Sequence, residues 1–131
     1  MRTIHFLGDN KRVLDQVEAL ESNRFSDFLD MVIASGKSSY MYLQNIFAHT
    51  KENFENKMSD QGVALGLALS ELILSGKGAW RVHGGGFAGT IQAFVPNNIL
   101  EEYVSTLEHV FGAGKCHTLF IRNKGAVKLE I

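Results

Sequence analysis

Apolar positions recur at helical spacing through the first half of the chain and give way to alternation in the second. Val13, Leu14, Val17 and Leu20 follow Gly8, Asp9 and Asn10, and with Asp9 or Asn10 as a cap this predicts a helix over Lys11–Glu21. Ahead of it Ile4 and Phe6 alternate, so Arg2–Leu7 reads as a short strand. Beyond Ser22 and Asn23, the residues Phe25, Phe28, Leu29, Val32 and Ile33 recur at three and four positions. They predict a second helix reaching about Tyr42, because Gly36 alone costs only about 1 kcal/mol relative to Ala. From Asn45 to Asp60 the chain turns polar and reads as a solvated connection. Gly62 to Leu74 is small and apolar almost all round, the pattern of a helix covered on most sides, and Gly76 and Gly78 end it.

The period then changes. Ala79–His83 and Thr90–Val95 read as strands joined by Gly84, Gly85, Gly86, Phe87, Ala88 and Gly89. Pro96 and Asn97 break the second strand, and Asn98 with Glu101 forms a capping-box signature ahead of a helix that carries Ile99, Leu100, Tyr103, Val104, Leu107, Val110 and Phe111. Gly112 and Gly114 end it, and Cys116–Arg122 and Ala126–Ile131 around Asn123, Lys124 and Gly125 predict a closing hairpin. Helices followed by strand, strand, helix, strand and strand imply an α+β sandwich, an antiparallel β-sheet with helices packed on one face.

Composition narrows the setting. A chain of 131 residues, 45% hydrophobic and 21% charged with Pro only 1, suits one domain with one core, spanning residues 1–131. A net charge of −1 gives no broad attraction for nucleic acid or an anionic membrane, so neither is expected as a partner. No stretch has the apolar length of a membrane span, and the opening residues lack the apolar core of a signal peptide. The lone Cys116 cannot form an internal disulfide, which fits a reducing cytoplasmic setting.

The stretch with chemical content runs from Gly78 to Phe94. Gly84, Gly85, Gly86 and Gly89 remove side chains where backbone must approach a partner closely or adopt positive φ, and successive free amides can form an anion-binding concavity. The same residues equally describe a long hairpin turn. Beside them, His83 flanks the loop and Arg81 lies two residues earlier, on the same strand face by the period of two; both are candidate ligand contacts. Trp80 and Phe87 are expected to anchor the loop against the core. Gly36-Lys37-Ser38 imitates the end of a P-loop, but Met31 stands inside an apolar helical stripe where that motif needs a glycine, so Lys37, Ser38 and Ser39 read as a polar helix face. The five histidines show no metal-ligand spacing. Tyr40, Met41, Tyr42 and Phe47 suit either helix packing or a sugar-facing pocket.

His83-Gly84-Gly85-Gly86-Phe87-Ala88-Gly89 resembles the third motif of the GHMP kinase family, a glycine-rich turn between two strands of the C-terminal domain, and three glycines before Phe look specifically like the galactokinase branch. His83 and Ala88 stand where that branch usually has Thr and Gly. The segment from Arg2 to Val13 and the strands from Leu119 to Ile131 are similar to the opening and the ending of the same domain. The resemblance implies a ferredoxin-like sandwich, the C-terminal half of a longer enzyme that moves phosphate from ATP, with Mg2+, to the anomeric hydroxyl of galactose or a related sugar. It places His83, Gly84, Gly85, Gly86, Phe87 and Gly89 beside phosphate or sugar and puts no catalytic residue in this chain. The family's nucleotide-binding loop and catalytic Asp have no counterpart here, so no turnover is expected of these residues alone. Exposure of the surface that the other half would cover implies self-association. The competing expectation is a self-sufficient ferredoxin-like module that binds a small metabolite.

Overall fold

A computed structural model describes residues 1–46, 61–121, 123–125 and 128. The described elements are α1 (Arg2–Glu21), α2 (Phe25–Leu43), α3 (Gly62–Leu74), β1 (Ala79–Val82), β2 (Ile91–Phe94) and α4 (Leu100–Phe111), with one 3-10 turn, Asn97–Ile99, before α4. The molecule is thus α+β, with four helices and a small antiparallel sheet among the described residues.

The expected strand Arg2–Leu7 is instead the first two turns of α1. Phe6 and Leu7 belong to the same helical stripe as Val13, Leu14, Val17 and Leu20, and a stretch of six residues could not reveal that period. Asp9 and Asn10 therefore lie inside the helix and cap nothing. At its far end Asn23 takes a left-handed φ of 55°, and Arg24 donates to Glu18 at 3.1 Å and to Asp27 at 2.7 Å, tying the end of α1 to the start of α2.

The strands form a two-stranded hairpin in which Ala79 faces Phe94, Trp80 faces Ala93, Arg81 faces Gln92 and Val82 faces Ile91. Alternation sends Trp80, Val82, Ile91 and Ala93 to one face. There Trp80 and Ala93 pack on a cluster of Leu74, Tyr103 and Leu107, while Val82 joins Ile46 and Val63, so α3 and α4 cover this side. The opposite face meets α2: the Phe28 and Phe94 rings sit edge-on with centroids 5.4 Å apart, and a Cβ on Gly36 would fall 2.9 Å from the Arg81 Cβ. The helices consequently cover both faces of the hairpin rather than the single face expected. Two strands are too few to form a stable sheet in isolation, and packing on both faces supplies what the hairpin lacks.

Two further expectations change. Ser38 and Ser39 are buried rather than part of a polar helix face, since the small side chains let α2 come close to its neighbours. Asn98 lies in the 3-10 turn and makes no side-chain cap; Ile99 occupies the N-cap position of α4, with Glu101 and Glu102 in the first turn meeting the positive end of the helix dipole. Residues 116–121 form no strand, and Leu119, Phe120 and Ile121 are exposed. The remainder of the expected closing hairpin, Arg122 and most of Ala126–Ile131, lies outside the described residues, as does 47–60 of the expected solvated connection. The two residues of that connection that are described, Asn45 and Ile46, are buried.

Candidate functional site

The glycine-rich connection is exposed from His83 to Thr90 except at Gly86. Its base is closed by the His83 amide donating to the Thr90 carbonyl at 3.1 Å, which continues the β1–β2 ladder by one step. Above that rung, the Gly86 amide donates to the His83 carbonyl at 3.4 Å, and the Ala88 amide turns back to the Gly86 carbonyl. Among the described residues the amides of Gly84, Gly85 and Gly89 donate to no acceptor. They are N–H groups on an exposed turn, open to a negatively charged or hydroxyl oxygen.

A single buried residue holds this turn. Gln44 takes a left-handed conformation (φ 52°, ψ 41°) at the end of α2 and brings Asn45 beneath the loop, wholly out of solvent. The Asn45 carbonyl accepts from the Phe87 amide at 3.3 Å, its Nδ2 donates to the Gly85 carbonyl at 3.3 Å, and its Oδ1 accepts from the Ser39 hydroxyl at 3.1 Å. Gly86 lies directly on this clamp, with φ of +78° and an ideal Cβ that would fall 2.2 Å from the Asn45 carbonyl oxygen. Gly85, by contrast, would place a Cβ in open space. The positive φ and the close approach thus fall together at Gly86 and not at Gly85.

The candidate side chains separate. His83 is exposed at the mouth of the loop. Phe87 is 55% exposed and carries a positive φ of 42°, unusual for a residue with a large side chain, so it projects from the turn instead of anchoring it. Trp80 does pack inward. Arg81 turns away to the α2 side, where its Nη1 donates to the Ser35 hydroxyl at 2.8 Å and its Nε to the Val82 carbonyl at 3.2 Å. Tyr40 and Met41 are largely exposed, and Phe47 lies outside the described residues.

Arg81 belongs to a polar cluster that the sequence did not reveal. Asp9 accepts from Ser35 at 2.7 Å and pairs with Arg12, while His5 Nδ1 lies 3.0 Å from the Ser38 hydroxyl and Nε2 lies 3.6 Å from Asp9. Ser38, His5 and Asp9 thus stand in the order of a nucleophile, base and orienting acid. Their setting fits a structural role instead: Ser38 is 3% exposed inside α2, and the Asp9 carboxylate is already engaged by Arg12 and Ser35. The signal was His5, Asp9 and Arg12 at helical spacing, hidden once Arg2–Leu7 was read as a strand.

Elsewhere, burial and then the nearby Glu108 carboxylate push the Cys116 thiol above its ordinary range, the reverse of a reactive cysteine. Burial likewise raises Tyr103, whose hydroxyl lies 2.7 Å from that of Ser70. Two clefts among the described residues, one along α4 lined by Leu100, Val104 and His109 and one between α1 and α2 lined by Asp15, Glu18, Asp27 and Asp30 with Arg24 and Met31, both exclude the glycine loop. No group of His, Cys, Asp or Glu able to hold a metal ion occurs among the described residues, and none of their helices is long and apolar enough to cross a membrane. Neither known protein families, nor curated proteins, nor solved structures match the chain.

Proposed function

We propose that this chain is the C-terminal half of a galactokinase-like sugar kinase of the cytoplasm and contributes one wall of the site at which ATP phosphorylates the anomeric hydroxyl of galactose or a related sugar. The observation that carries this reading is the exposed turn whose Gly84, Gly85 and Gly89 amides have no acceptor while Asn45 fixes the backbone beneath them. N–H donors held rigid before the ligand arrives suit phosphoryl transfer, where catalysis consists largely of positioning and electrostatic stabilisation. Such a turn fits phosphate or sugar oxygens and does not fit Mg2+, which takes oxygen ligands. On this reading ATP and Mg2+ are held chiefly by the missing half, and His83 and the Phe87 ring face the substrate side.

Among the described residues the turn is exposed and lines neither of the two clefts, as suits one wall of a site completed by a partner half better than a self-sufficient metabolite-binding module. On this reading the β1–β2 hairpin belongs to a ferredoxin-like sheet. The chain by itself would not turn over.

The test is a kinase assay of the complete reading frame that contains this chain, run with ATP, Mg2+ and a panel of hexoses. Transfer to a sugar anomeric hydroxyl, lost on Gly84→Val, is the expected result. Amide spectra of the isolated chain titrated with a sugar 1-phosphate should shift at Gly84, Gly85 and Gly89. A reading frame without upstream kinase sequence, or transfer indifferent to Gly84→Val, overturns the reading.

A further inference from the structure

Phe87 is the one large apolar side chain on the exposed turn from His83 to Thr90. It is 55% exposed and holds a φ of 42°, a conformation that a bulky residue keeps only where its surroundings impose it. Here they do: the Phe87 amide donates to the Asn45 carbonyl at 3.3 Å, and Asn45 is wholly buried, so the ring stands on a fixed base. Packing inside the domain does not offset the strain, since the ring faces solvent while Trp80 of the same hairpin turns into the core. Strain of this kind gathers at ligand clamps, where the contact is made with something outside the domain.

The neighbours of Phe87 define the chemistry of that contact. Gly85 and Gly89 each lie two residues away, so their Cα atoms are within about 7 Å of its own. Their amides, with that of Gly84, donate to no acceptor among the described residues. One ligand meets both kinds of group if it carries an oxyanion for the amides and, a few ångströms off, an apolar face for the ring. A hexose phosphate has both. In the galacto configuration the axial 4-hydroxyl leaves the hydrogens on C3, C4 and C5 together on one face, and in the α 1-phosphate the phosphate leaves from that same face. In the gluco configuration the C4 hydrogen points to the opposite face and the patch is broken.

We propose that Phe87 is the residue by which this turn selects its sugar: the ring stacks on the C3 to C5 hydrogens of a galacto-configured hexose 1-phosphate while the amides of Gly84, Gly85 and Gly89 hold the phosphate. This rests on reading the turn as one wall of a sugar-phosphate site. It adds the group that tells one hexose from another, which backbone amides cannot do.

The experiment titrates the purified 131-residue chain with α-galactose 1-phosphate, α-glucose 1-phosphate and inorganic phosphate, followed by amide spectra. The parent chain should bind the galactose ester several-fold more tightly than the glucose ester. Phe87→Ala should weaken the galactose ester roughly fivefold and erase that preference, with inorganic phosphate changed by less than about twofold. Phe87→Leu, which keeps bulk but no ring, should behave as the alanine variant does, and Phe87→Tyr should bind as the parent does; unshifted Asn45 and Gly86 signals show the clamp intact in each. Equal binding of the two esters by the parent, or a preference kept by Phe87→Ala, overturns the proposal. So does Phe87→Ala that binds the galactose ester normally yet abolishes transfer by the complete reading frame, because the ring then packs on the other half. No shift with any of the three probes overturns both this proposal and the kinase reading. A Phe87-dependent preference in a chain whose complete reading frame transfers no phosphate upholds the selection and removes the kinase reading alone.

Discussion

Replacing Gly86 by alanine tests how the loop is held. The residue has φ of +78°, and an alanine Cβ there would fall 2.2 Å from the Asn45 carbonyl oxygen and 2.7 Å from the Asn45 Cβ. The first feature costs about 1 to 2 kcal/mol for an L-residue held in the left-handed region. The second cannot be absorbed by a flexible side-chain end, because the obstacle is backbone, so loop and clamp must part. That forfeits the Phe87 amide to Asn45 carbonyl bond and the Asn45 to Gly85 bond, each worth about 1 kcal/mol net. Gly86→Ala should therefore destabilise the chain by about 3 to 4 kcal/mol, a fall in Tm on the order of 10 °C. Gly85→Ala is the matched control: its Cβ meets nothing within 4 Å, so stability should stay within about 0.5 kcal/mol or rise slightly through the unfolded state. Urea unfolding followed by circular dichroism measures both, with equal m-values required for the comparison. A Gly86→Ala variant within about 1 kcal/mol of the parent, or a Gly85→Ala variant equally damaged, would show that the clamp does not hold the loop.

Two other outcomes follow from the packing. Gly36→Val should cost about 2 to 3 kcal/mol by overpacking, since even a Cβ at that position would lie 2.9 Å from the Arg81 Cβ and 3.4 Å from the Trp80 carbonyl oxygen; an unchanged urea midpoint would count against the contact between α2 and β1. Cys116 should alkylate with a midpoint above the ordinary thiol value, and a midpoint at or below that value refutes its burial beside Glu108. Because the folded thiol and the Tyr103 hydroxyl both hold their protons more tightly than the unfolded chain does, the stability they contribute is present at neutral pH. It declines as the pH rises past the ordinary thiol value and then past about 10, the ordinary value for tyrosine.

Several features of the fold were legible along the chain. The helices Phe25–Leu43 and Gly62–Leu74 and the hairpin around the glycines agree closely with their periodicity, because long stripes and clustered turn residues are local signals. The strand read at Arg2–Leu7 failed for lack of length: a few residues fit either period, and only the continuation of Phe6 and Leu7 into Val13, Leu14, Val17 and Leu20 makes the helix visible. The capping box at Asn98 failed because Pro96 starts a 3-10 turn that shifts the cap to Ile99. At the loop, glycine content marked where backbone is exposed. It could not distinguish Gly86, pressed on Asn45, from Gly85, which faces open space.

The sequence by itself determined the α+β class, the run of elements from α2 to α4 and the place of the side-chain-free turn, all of which depend on spacing between near neighbours. Tertiary structure alone decided that Asn45 lies under Gly85 and Phe87, that Arg81 turns to Ser35 and that helices cover both faces of the hairpin. Those contacts join residues 40 or more positions apart, such as Asn45 with Gly85 and Ser35 with Arg81. Their geometry depends on how whole elements dock, and no local period encodes it.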